Sequence, residues 1–289
     1  MEGRQFAEDL SDLDISIFPT GADAGLHFHN DPNDPYQRDT IVQRKGRVNI
    51  GCKHKDIAHG YFSEKINDLC TLIVVQFRFE SNGLAARIKE AHAILTFAAM
   101  DVGNPDPEVV AMYPEGGFFV QPTVQHEQVL KGAEANVGGG AAGAQVGGVL
   151  KMESTVERET TDYTRVHGSI DVLRASDFGK PNAVSWDLFE NATAKTGVVT
   201  NFQAAVLLKR KNMNPFKASI TLKATADTTS RISTLFKKDE KDDDVWYDPK
   251  KPSTDKLLKY DTDNLGSVDL KSLSDVTFRT VLKDALKEI

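Results

Sequence analysis

The sequence predicts an α+β fold: a twisted, mainly antiparallel β-sheet with flanking helices and a short C-terminal helical tail. Three observations carry this. Stretches between residues 71 and 225 alternate apolar and polar positions with a period of two, as half-buried strands do. Clusters of Asn, Asp, Pro and Gly separate those stretches. A clear period of 3.6 is confined to the last residues of the chain.

Taken in order, residues 1–14 are acidic, and the run "NDPNDPY" at 30–36 is a turn cluster. The stretch 71–80, "TLIVVQFRFE", places Ile73, Val75, Phe77 and Phe79 on one face and Leu72, Val74, Gln76 and Arg78 on the other. After the turn signal "SNG", residues 89–98 put Ala91, Ala93, Leu95 and Phe97 on one face. The two read as a β-hairpin with a long connection. A second, longer hairpin is expected over 142–173. Ala142, Ala144, Val146, Gly148, Leu150, Met152, Ser154 and Val156 share a face; "ETTD" at 159–162 turns; Val166, Gly168, Ile170 and Val172 return. Residues 183–191 form a further strand with Trp186 and Leu188 on one face. A third hairpin pairs 202–211 with 216–225. The charged, proline-containing stretch 237–256 reads as a linker or strap that Trp246 and Tyr247 could anchor. A final helix carries Phe278, Val281, Leu282, Ala285, Leu286 and Ile289 on one stripe, with Ser272 to Asp275 resembling a capping box.

Composition narrows the function. The 289 residues are 40% hydrophobic and 27% charged, an ordinary balance for a folded chain with a sizeable core. A net charge of −7 gives no general attraction to nucleic acid. The start lacks an apolar leader and no apolar run reaches 18 residues, so a cytoplasmic chain with reduced Cys52 and Cys70 is expected. Against that background, residues 191–226 hold Lys195, Lys209, Arg210, Lys211, Lys217 and Lys223 and no acid. Such a run is either a solvated strand face or a contact for an anionic surface such as phospholipid headgroups.

Motifs for chemistry are weak. Gly138, Gly140 and Gly143 have the spacing of a dinucleotide-binding loop, but a strand-and-helix context is missing and a long alternating strand follows. His27 and His29, with Asp34, look like half of a cupin metal motif; the second half fails, because Pro114 and Gly116 are followed by Gly117, Phe118 and Phe119 and not by His. His54, His59, His92, His126 and His167 are scattered, and no nucleophile-and-base motif is present. No enzyme, cofactor or resident metal is therefore expected.

One order of features resembles a known family. The Gly/Ala-rich approach to a long alternating strand (135–157), "WDLFEN" (186–191), "AVLLKRK" (205–211), "RISTLFKKDE" (231–240) and a short charged tail are similar to the fungal gasdermin-like cell-death effectors of heterokaryon incompatibility, over roughly residues 70–250. The resemblance implies a pore-forming domain at 1–236 and an autoinhibitory tail at 237–289. A protease would cut at Phe236 and Lys237, releasing a tail docked through Trp246, Phe278, Val281, Leu282 and Leu286. The freed domain would pass from the cytoplasm to the plasma membrane and bind acidic phospholipid through the basic run. It would then assemble as a homo-oligomer, with Leu72, Val74, Leu95, Phe97, Val146, Leu150, Met152, Val156 and Ile170 in its membrane-inserting hairpins. The alternatives from the residues themselves are a β-sandwich or barrel binding module and a cupin-like metalloprotein.

Overall fold

The computed structural model of the chain describes residues 28–45, 48–64, 66–81, 87–137, 148–173, 179–226 and 242–277. Within them run β1 (Thr40–Arg44), β2 (Val48–Ser63), β3 (Ile66–Ser81), β4 (Ile88–Ala99), β5 (Glu108–Tyr113), β6 (Gly116–Val137), β7 (Gly148–Asp171), β8 (Ala183–Phe189), β9 (Asn201–Arg210), β10 (Phe216–Ala226), β11 (Val245–Tyr247) and β12 (Asp275–Thr277). A 3-10 turn spans Leu265–Ser267. No α-helix occurs among the described residues, so the α+β expectation is corrected to an all-β body. The reason is visible in the periodicities: burial repeats about every two residues in β4, β8 and β10, and runs on continuously where β3 and β9 are covered on both faces. The capping box also dissolves, because Asp275–Thr277 pairs with Asn201–Gln203 as strand β12. The helical stripe Phe278, Val281, Leu282 and Leu286 lies outside the described residues.

Two antiparallel sheets make up the body. The first runs β1-β2-β3-β9-β12, with β5 also on β9; the second runs β11-β10-β4-β8-β7-β6. Two expected hairpins are overturned by this order. β3 pairs with β2 and β9, while β4 pairs with β10 and β8, so 71–80 and 89–98 belong to different sheets. Likewise β9 and β10 separate at 211–215, one to each sheet. The driving force is burial: each crossing lets an apolar face of one sheet cover that of the other. Phe77 and Phe202 of the first sheet meet Trp186 of the second at ring distances of 5.4 and 5.8 Å. Ile73, Val75, Leu95 and Phe97 are buried in this same core.

The outer face of the first sheet is covered too. Leu72, Val74, Ala58 and Cys70 pack under Tyr260, Leu265 and Leu273 from the chain's last third. That explains why β3 is apolar on both faces over 72–75. The covering segment is held at Asp56, whose carboxylate accepts the Lys256 and Leu257 amides (both 2.9 Å), the Tyr260 hydroxyl (2.9 Å) and the Thr254 hydroxyl. Burial pushes this carboxyl up, but those four donors together hold it below its ordinary value.

Residues from both ends of the described chain form a clasp beside β11. The Phe28 and Asn30 amides donate to Asp242 (2.8 Å) and Asp243 (3.0 Å). Arg44 pairs with Asp242 at 2.6 Å, and the Gln37 amide donates to the Trp246 carbonyl at 2.7 Å. Tyr247 stacks on Phe216 at 4.8 Å, and its hydroxyl lies 2.8 Å from His54 Nε2.

Candidate functional site

The most unusual element is the ribbon formed by β6 and β7. It replaces the expected 142–173 hairpin: β7 runs unbroken through "ETTD", and its partner is 116–137. The ladder begins at Gly116↔Gly168, shifts register between Val120 and Thr123 around Pro122, and ends at Val137↔Gly148. Proline lacks the N–H that a ladder needs, so a break there is expected.

The root is fixed tightly. A Cβ at Gly168 would lie 2.1 Å from the Pro114 carbonyl oxygen, so only glycine allows that approach. Trp186 Nε1 donates to the same carbonyl at 3.1 Å. Asn191 Nδ2 donates to the Asp162 carbonyl at 3.0 Å, and the Thr193 hydroxyl donates to the Asp162 carboxylate. Phe119, 62% exposed, packs on Tyr163 at 5.3 Å.

Beyond this root the ribbon has no third strand among the described residues. β8 pairs with β7 over Arg165–Asp171 only. From Thr123↔Asp162 to Val137↔Gly148, fifteen pairs, each arm has the other as its ladder partner. At about 3.4 Å per residue that is roughly 50 Å of two-stranded ribbon. The register sorts its positions into two faces. Val137/Gly148, Ala135/Leu150, Ala133/Met152 and Val129/Val156 fall on one, interrupted by Lys131/Ser154. Asn136/Val149, Glu134/Lys151, Gly132/Glu153 and Leu130/Thr155 fall on the other. The alternation thus runs over nine residues in each arm, 129–137 and 148–156, five of them on the mainly apolar face. The connecting residues 138–147, GGGAAGAQVG, carry no charge.

The other predicted site residues are scattered. Leu150, Met152 and Val156 fall on the apolar face of the ribbon. Ile170 lies at its root opposite Val184 and packs against the sandwich core. Leu72, Val74, Leu95 and Phe97 are buried inside the body, at most 1% exposed, and face no membrane there. Val146, Phe236 and Lys237 lie outside the described residues. Trp246 lies in β11, opposite Lys217 and 6.2 Å from the Tyr36 ring.

The basic run forms no single surface. Lys195 is exposed near the ribbon root, Lys217 pairs with Asp244 at 2.9 Å, and Lys223 is exposed on β10. Lys209, Arg210 and Lys211 gather at the far end of β9. Of the cupin-like residues, His29 pairs with Asp243 at 3.3 Å, Asp34 pairs with Lys251, and His27 lies outside the described residues. Among the described residues no group of three His, Cys, Asp or Glu could hold a metal. No described helix is long and apolar enough to cross a membrane.

No protein family matches the chain, and neither does any curated protein. Among solved structures it is similar to the NetB toxin of Clostridium perfringens in its membrane-inserted form, with 10% identity and a TM-score of 0.29, over 65% of this chain and 83% of that one. That likeness is too slight to carry a shared fold or activity.

Proposed function

We propose that this chain is a non-enzymatic pore-forming protein, and that the β6–β7 ribbon enters the bilayer and joins the ribbons of further copies in a β-barrel. The observation that carries the reading is the fifteen-pair ribbon, whose outer nine pairs alternate between a mainly apolar and a mainly polar face. A membrane-crossing strand needs about 9–11 residues, apolar toward lipid and polar toward the lumen. The alternating segment supplies nine residues in each arm, five of them on the lipid side, where Lys131/Ser154 is the one polar pair. An isolated two-stranded ribbon is marginal in water, and both of its outer edges offer unpaired backbone groups. Pairing edge to edge with neighbouring copies satisfies every one of them, which is what a strand in hydrocarbon requires. The uncharged Gly/Ala tip can cross without burying a charge.

Val, Ala and Gly at many lipid-side positions contribute less transfer free energy than Leu or Phe, so ring closure is the main stabilising contribution. The reading does not need cleavage at Phe236: β11 and β12, both within 237–289, are ladder-paired to the body.

Dye release from vesicles, with and without acidic phospholipid, tests the proposal. The full chain is compared with Ala133→Asp and Met152→Asp on the apolar face and with Glu134→Gln on the other. Release by the full chain and by Glu134→Gln, lost in both Asp variants while their β-sheet circular dichroism is unchanged, is expected. Equal release by all four refutes the role of the ribbon. An absence of release by the full chain from either vesicle leaves the two-sheet body as a binding module.

A further inference from the structure

At the end of the first sheet, where β3 begins and β9 ends, the body holds a cavity of about 260 Å³. Four cations reach it: Lys180, Lys209, Arg210 and Lys211. Its carboxylates are Asp68, Asp106 and Glu108. Two of them are already engaged, Asp68 with Lys209 at 3.0 Å and Glu108 with Lys180 at 2.5 Å. Asp106 accepts the Ala99 amide at 2.9 Å.

Arg210 is the unusual member. It is 6% exposed and pairs with no carboxylate within 4 Å among the described residues. Nη2 donates to the Cys70 carbonyl at 3.0 Å, and Nη1 approaches the Asn212 carbonyl at 3.1 Å and Met213 Sδ at 3.7 Å. Nε is buried with no partner. Of five N–H groups, these contacts leave Nε and one terminal N–H unused. A buried cation that has only carbonyls for company is costly unless a counter-charge reaches it. Burial accordingly pulls this guanidinium down to about 10. Lys211 next to it is exposed and makes no ion pair among the described residues. With four cations against three carboxylates the cavity lining carries a net charge of +1, centred on one buried, half-satisfied guanidinium in a chain of net charge −7.

The placement of the cavity narrows the ligand. β9 runs from Asn201, beside the Phe79–Thr200 contact, to Arg210 at the cavity. The ribbon passes Asn191 and Thr193 and leaves the body at the Asn201 end. Ten strand residues, about 30 Å, therefore separate the cavity from the end where the ribbon departs. A bilayer met by the ribbon lies on the opposite side of the body.

We infer that this cavity binds a phosphate-type oxyanion carried by a small soluble molecule, with Arg210 and Lys211 as its anchors and Lys180 and Lys209 at its rim. A guanidinium fork suits a tetrahedral oxyanion because two N–H groups can meet two oxygens side by side. The choice of a soluble carrier over a lipid headgroup rests on the proposed insertion of the ribbon; the anion site itself does not.

The test is calorimetric titration of the full chain with inorganic phosphate at constant ionic strength, with sodium chloride as control. Saturable binding is expected, weakened at least 10-fold in Lys211→Gln and in Arg210→Lys, and unchanged in Lys195→Gln and Lys223→Gln. Lys211→Gln keeps the test decisive if Arg210→Lys fails to fold. Equal affinity in Lys211→Gln, or binding by the parent chain of neither phosphate nor phosphatidic acid vesicles, overturns the site. Co-sedimentation with vesicles containing phosphatidic acid separates the sources. Vesicle binding that needs Lys211, with no binding of inorganic phosphate, overturns the soluble ligand in favour of a lipid headgroup.

Discussion

Acidification from pH 7.5 to 5.5 should remove about 3 kcal/mol of stability through two buried histidines. His54 Nδ1 faces the Arg38 carbonyl at 2.7 Å, so that nitrogen carries the proton, and Nε2 accepts from the Tyr247 hydroxyl at 2.8 Å. In His59, Nε2 accepts from the Gln37 amide at 2.8 Å and Nδ1 donates to the Thr71 hydroxyl at 2.9 Å. A second proton on His59 would face the Gln37 amide, a donor, and one on His54 would require the Tyr247 hydroxyl to turn from donor to acceptor around a charge that burial disfavours. Burial pulls His54 down to about 4; burial, with Arg210 adding repulsion, pulls His59 down to about 3. The unfolded chain takes up both protons near pH 6.5, and the folded chain refuses them. The stability is thus complete above pH 6.5 and falls as pH drops toward about 4 and 3. At pH 5.5, one unit below the unfolded value, each histidine has cost about 1.4 kcal/mol. Urea unfolding followed by tryptophan fluorescence at pH 7.5, 6.5 and 5.5 measures this. His54→Gln and His59→Gln start less stable at pH 7.5, and each should lose about 1.4 kcal/mol less on acidification than the parent chain. An identical loss in all three proteins refutes the assignment.

Gly168→Ala should cost about 1–3 kcal/mol, read as a lowered urea midpoint, because its methyl group would meet the Pro114 carbonyl. Leu72→Ala should cost about 2–5 kcal/mol and leave dye release per folded molecule unchanged, since Leu72 is buried under the 253–273 segment. Truncation to 1–236 removes Tyr247 from Phe216 and uncovers Leu72 and Val74; calorimetry should show a lost or much lowered transition, and one within a few degrees of the full chain would refute an integral role for 242–277.

Strands were legible in the sequence where one face alternates cleanly: 71–80, 89–98 and 216–225 fall within β3, β4 and β10, and 202–211 overruns β9 by Lys211 alone. Their pairing was not legible. A short turn between two strands looks the same whether the chain folds back in one sheet or crosses to another. The clue was in β3, where Leu72 and Val74 oppose Ile73 and Val75. Apolar residues on both faces mean burial on both sides, not one side in lipid and the other in water. β6 was missed because Pro122 breaks its pattern, and "ETTD" imitates a turn because β7 is polar on both faces near the root. The cavity was visible only as basic residues in a row. Their separation to opposite ends of the body depends on which neighbour each strand selects.

The clasp at Phe28–Asp39 has a consequence for the order of events at synthesis. Its partners lie at Asp242–Lys256, more than 200 residues later. Such long-range closure is slow, and it cannot start before those partners exist. Until residues 242–277 have been made, Leu72 and Val74 lack the cover of Tyr260, Leu265 and Leu273, so the unfinished chain shows an apolar sheet face that the finished protein hides.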